Sequence, residues 1–119
     1  VEITLLNPPE GNVLARGSYY GGPHYEFAIE CDGCVYFRVV GEADRVWAGP
    51  DAASFRRIVE AWNRFKADVV QLPSKEAQLD RVIQLRREFE SLGALPKDLP
   101  PDPEPLWSLL LFVAENELG

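Results

Sequence analysis

Three sets of side chains in this sequence have the types and spacing to do chemistry. The run Gly17-Ser18-Tyr19-Tyr20-Gly21-Gly22-Pro23-His24-Tyr25 places the single histidine beside three tyrosines around a double glycine. An imidazole with phenolic neighbours has the groups for general acid–base work, so Tyr19, Tyr20 and His24 form a candidate ligand-binding turn or small-enzyme site. The residues around them favour a turn joining two strands. Ser18 lies in no G-x-S-x-G elbow, and strand residues rather than a helix follow the glycines, so no anion-binding helix N-terminus is made.

Cys31 and Cys34 form one C-x-x-C. A redox pair of this kind needs its first thiolate at a helix N-terminus, and structural zinc needs four ligands. Here the flanking residues are strand-like and no second C-x-x-C exists. Ordinary thiols at a hairpin turn are expected, with no metal and no cofactor.

The third set is carboxylates: Glu26 and Glu30 in a strand-like run, and Asp98, Asp102 and Glu104 in a proline-rich stretch. Paired carboxylates hydrolyse glycosides only at a set separation in a cleft, which spacing alone does not supply. As surface charges they suit a basic protein partner. Residues 1–50 hold seven acids and three bases, residues 51–93 seven and eight, and residues 94–119 five and one. The two ends are therefore acidic within a formal net charge of -7, which argues against phosphate-backbone binding, since that needs clustered Lys and Arg. No nucleic-acid partner is expected.

The elements that position these groups follow from periodicity. In residues 25–39, pairing Ile29 with Val35, Phe27 with Phe37 and Tyr25 with Val39 collects six apolar side chains on one face. The same pairing sets Glu26 against Arg38 on the other, with Glu30, Cys34, Ala28 and Tyr36. It leaves a three-residue loop, Cys31-Asp32-Gly33, with Gly33 at the position that needs a left-handed residue. Residues 2–6 and 12–20 read as strands separated by an Asn7-Pro8-Pro9-Glu10-Gly11 turn, and residues 45–48 as another short strand.

After Gly49-Pro50 the period changes. Asp51 caps a helix marked by Phe55, Ile58, Val59, Trp62, Phe65 and Val69, ending near Leu72-Pro73. Ser74 caps a second, marked by Leu79, Val82, Ile83, Phe89 and Leu92 and closed by Gly93. Arg81, Arg86 and Arg87 read as its solvated face. Asp102 is placed to cap a third helix, which carries Pro103 and Pro105 in its first turn and Trp107, Leu110, Leu111 and Ala114 as its stripe. Trp47, Trp62 and Trp107 all fall on apolar positions and read mainly as core or core edge, whereas an exposed tryptophan at the sheet edge would read as interface.

The expectation is one α+β domain over residues 1–119: an antiparallel meander of four to five strands in residues 1–48, then three helices in residues 52–118 packed on one face. At 119 residues it buries a core without disulfide or metal. The longest apolar stretch is too short to span a bilayer, and no leader pattern opens the chain, so a cytoplasmic protein without a membrane partner is expected. Because the first residue is Val1, the chain reads as trimmed or as a fragment lacking N-terminal elements, which leaves an accessory module of a larger protein as an alternative reading.

Residues 32–119 resemble the C-terminal part of the SUKH-type bacterial toxin-immunity proteins. The matching features are Gly33, Val35 and Phe37 in one strand, Val46-Trp47 in the next, and Ser54-Phe55 opening a helix. Leu85, Phe89, Leu92 and Pro96 follow, then Trp107-Ser108 and Leu110 in the terminal helix. Typical members carry helices before the sheet, whereas this chain opens on strands. The resemblance implies a non-enzymatic α+β domain that binds a cognate toxin, often a nuclease or deaminase, and occludes its active site. The partner-binding candidates on that reading are Glu26, Glu30, Asp98, Asp102 and Glu104.

Overall fold

The alternation in residues 25–39 dictates its own pairing, and the computed structural model, which describes residues 3–18, 24–96 and 106–118, has that register. Strands β3 (His24–Ile29) and β4 (Val35–Val39) pair Tyr25 with Val39, Glu26 with Arg38, Phe27 with Phe37 and Ile29 with Val35. Their loop closes as a turn in which Gly33 N–H donates to Glu30 O at 2.9 Å and Glu30 N–H donates to Cys34 O at 3.0 Å. Gly33 takes φ 83°, the left-handed region that a Cβ disfavours. A Gly33→Ala change should therefore cost about 1–2 kcal/mol of stability, and Gly33→Asn less; urea unfolding of both variants checks this.

Around this hairpin the sheet is antiparallel throughout, in the order β1-β2-β3-β4-β5, with β1 (Thr4–Glu10), β2 (Val13–Ser18) and β5 (Arg45–Gly49) completing it. One sequence expectation is corrected here. Asn7-Pro8-Pro9-Glu10 is not a turn but the second half of β1, and the chain reverses at Gly11-Asn12. The prolines are tolerated because β1 is an edge strand whose outer side needs no ladder donors, and the register shifts between Leu5 and Glu10.

The other edge is closed differently. On β5, the Ala48 carbonyl accepts a hydrogen bond of 2.6 Å from Trp107 Nε1–H, and the Trp107 side chain is fully buried. One edge thus carries two residues without a backbone N–H, and on the other an indole takes the Ala48 carbonyl.

Three helices follow: α1 (Ala52–Val69), α2 (Lys75–Ser91) and α3 (Leu106–Leu118). Asp51 caps α1 by accepting from Ser54 N–H at 2.7 Å, and Ser74 caps α2 by accepting from Ala77 N–H at 3.1 Å. Such caps satisfy amides that have no partner within the helix. Gly93, at φ 75°, ends α2 as its spacing indicates. The region of Asp102, Pro103 and Pro105 lies outside the described residues.

The helices cover one sheet face. Phe55, Ile58, Trp62 and Phe65 of α1, Val82, Leu85 and Phe89 of α2, and Trp107 and Leu111 of α3 enclose a core with Ala15, Tyr25, Phe27 and Val35. Phe27 and Phe55 rings meet at 5.1 Å across the sheet–helix boundary. Arg81 does not lie on a solvated face. Its side chain is 11% exposed, its Nε donates to Asp68 at 3.2 Å, and its guanidinium faces Glu88 at 3.6 Å. It projects toward α1, so its stem is covered while its head stays paired. Ile83, expected among the apolar positions of α2, is half exposed.

Candidate functional site

Because successive strand residues point to opposite faces, every side chain flanking the core residues of the sheet points away from the helices. Two rows result on the open face. One carries Arg16, Glu26, Arg38 and Arg45 across β2 to β5; the other carries Val13, Ala28, Tyr36 and Trp47 across the same strands. The first row is charged and the second apolar to aromatic.

Charges in the first row are paired within the sheet. Arg38 Nε donates to Glu26 at 2.7 Å across the β3–β4 pair. Arg45 stands opposite Arg38, a like-charge register that is unfavourable if both extend outward. It turns along the strand instead, laying its guanidinium 4.3 Å from the centre of the Tyr36 ring and forming an ion pair with Glu30. A cation over an aromatic face is itself attractive. Glu10 and Arg16 pair at 2.7 Å at the β1 side.

Tyr36 is held at both ends, under Arg45 and by its hydroxyl, which donates to Asp32 Oδ2 at 2.6 Å. The other Asp32 oxygen accepts from Cys34 N–H at 2.9 Å. The hydroxyl bond, helped by Cys34 N–H, lowers the Asp32 carboxyl below its ordinary value of 3.8, and the same hydroxyl bond, with burial, pushes Tyr36 up to about 12. For Asp32 the stabilisation is present above its ordinary value and lost as pH falls through the lowered one. For Tyr36 it is present below pH 10, its ordinary value, and lost as pH rises toward 12. The arrangement therefore holds across the neutral range. Ultraviolet titration of the wild type against Tyr36→Phe should show the missing phenol ionising near pH 12. In Asp32→Ala the same phenol should ionise nearer its ordinary value; an unchanged value would mean that Asp32 does not hold it.

Of the sequence candidates, Glu26 and Glu30 lie on this open face and both are bound to arginines of the same chain. Asp98, Asp102 and Glu104 lie outside the described residues, as do Tyr19 and Tyr20. His24 is exposed at the first position of β3, in register with Ser18. Cys31 and Cys34 are free thiols at the β3–β4 turn. Among the described residues no three His, Cys, Asp or Glu side chains are grouped to hold a metal ion, and no helix is long and apolar enough to cross a membrane.

Of the three tryptophans, Trp47 is the one that lies outside the core. Trp62 and Trp107 are buried in the core as expected, but Trp47 is half buried on the open face of an edge strand, beside Tyr36. The signal was in the alternation: Val46 packs inward against the core, so its neighbour must point outward. Comparison of the chain with family models, with curated proteins and with solved structures found no match.

Proposed function

We propose that this chain is a non-enzymatic binding protein that neutralises a cognate protein toxin by covering its active site, as the SUKH-type immunity proteins do, and that the open sheet face is the surface that makes the contact. The observation that carries this reading is the Tyr36–Trp47 pair, half buried on a face that no helix of the described residues covers, with Glu26, Glu30, Arg38 and Arg45 around it. Tyr, Trp and Arg are the side chains that most often dominate protein–protein binding energy, from a partly apolar centre inside a polar rim. The net charge of -7 supports a basic partner, drawn by long-range attraction and then held by the aromatic centre.

The test uses the immobilised chain and its Trp47→Ala variant as paired baits in lysate of the source cells, washed at low and then high salt. A basic protein retained by the wild type and lost by the variant is purified, and its own catalytic activity is assayed with increasing amounts of the chain. Stoichiometric inhibition supports the reading. Retention without inhibition, or equal retention by both baits, overturns it.

A further inference from the structure

We propose that the Tyr36 ring and the Glu30 carboxylate form a subsite for a guanidinium group, filled here by Arg45 of the same chain and taken over by an arginine side chain of a basic partner. The source of that arginine rests on the functional reading above; the subsite itself rests on geometry. The Arg45 guanidinium lies 4.3 Å from the centre of the Tyr36 ring and is ion-paired with Glu30. An aromatic face beside a carboxylate suits a flat, weakly hydrated cation. The receiving groups are placed without help from Arg45. The Tyr36 hydroxyl donates to Asp32 at 2.6 Å, Asp32 accepts from Cys34 N–H at 2.9 Å, and the Glu30 side chain is only 19% exposed.

Arg45, by contrast, is loosely held. It is the first residue of an edge strand, its side chain is 51% exposed, and it stands in register with Arg38, whose charge repels it. To reach Glu30 it must keep a long side chain on one path over the ring, and an exposed ion pair offsets little of that lost freedom. Arg38 does not compete for the subsite, because Glu26 holds it at 2.7 Å. Exchange for an incoming arginine conserves the charge of the site, one guanidinium leaving as another arrives, and the displaced Arg45 turns into solvent at the sheet edge. Trp47 stands opposite Tyr36 on β5, so the arginine subsite and the aromatic contact form one patch.

The test titrates the whole chain carrying Arg45→Ala with N-acetyl-arginine amide at constant ionic strength. Binding is followed by NMR at the Tyr36 ring, whose signals are those lost in Tyr36→Leu. The vacated subsite should bind saturably, with a Kd on the order of 10 mM for one exposed cation–π contact and one ion pair. The wild type, whose own guanidinium competes, should bind about threefold to fivefold more weakly, the factor that an exposed ion pair supplies. Adding Glu30→Gln to Arg45→Ala should abolish saturation, and N-acetyl-lysine amide, a compact and strongly hydrated cation, should bind more weakly than the arginine probe. Thermal melting near the wild-type value shows that the variants are folded, and Arg45→Gln provides a second vacated subsite. No saturable shift in either Arg45 variant, equal binding by those variants and the wild type, binding undiminished by Glu30→Gln, or a lysine probe that binds as tightly overturns the proposal. The titration needs no partner: a captured partner inhibited without probe binding strikes the subsite alone, and probe binding without such a partner strikes the functional reading alone.

Discussion

Trp107→Ala should remove about 3–5 kcal/mol of stability, as truncation of a large buried aromatic generally does. The side chain is fully buried, with the Phe89 and Trp62 rings at 5.3 and 6.1 Å, so its removal leaves a void shared by all three helices. Its indole N–H is also the donor that satisfies Ala48 O on the edge of the sheet. Alanine loses the packing and frees a carbonyl at a strand edge, a second cost of about 1–3 kcal/mol if no water reaches it. Total stability for a domain of this size is of order 5–15 kcal/mol, so the variant should be partly unfolded at physiological temperature. Trp107→Phe, which restores most of the volume but not the donor, should fall between. Urea unfolding followed by circular dichroism measures all three proteins; similar losses for Phe and Ala would place the energy in the hydrogen bond rather than in the packing.

Trp47→Ala should have the opposite profile, a small effect on folding and a large one on partner binding. Trp47 is half buried and outside the core cluster, so its truncation should cost little stability. On the proposed face it sits beside Tyr36, and a central aromatic of this kind contributes about 2 kcal/mol or more, roughly a 30-fold loss of affinity appearing mainly as faster dissociation. Surface plasmon resonance with the captured partner separates the rates. Reversing Asp98, Asp102 and Glu104 should instead slow association and flatten its salt dependence while leaving dissociation nearly unchanged. Glu26→Lys is a poor probe of steering, because it sets a second cation against Arg38 and disturbs the sheet itself. A Trp47→Ala variant that dissociates as slowly as the wild type would move the contact off the sheet face.

Local chemistry in the sequence determined most of the fold. Alternation in residues 25–39 allowed one register for the central hairpin, because the competing two-residue turn would have placed Arg38 among the apolar side chains. Asp51, Ser74 and Gly93 marked helix ends because capping is a property of a few adjacent residues, and the helical stripes named the buried faces of α1 and α3. What the tertiary structure decided were matters of neighbourhood. Pro8 and Pro9 signal a turn in isolation, and they sit within a strand only because that strand is the sheet edge. Arg81 reads as solvated until α1 brings Asp68 to it, beside Glu88 of its own helix. Hydrophobicity does not separate Trp47 from Trp107; the helices cover one sheet face, burying Trp107 against β5 and leaving Trp47 on the other side. Glu26 and Glu30 were legible as carboxylates, but their pairing with Arg38 and Arg45 depends on strands meeting across the sheet. Backbone preference acts over a few residues and shows in the sequence; the burial and charge of a side chain are set by elements distant along the chain, and only their packing reveals them.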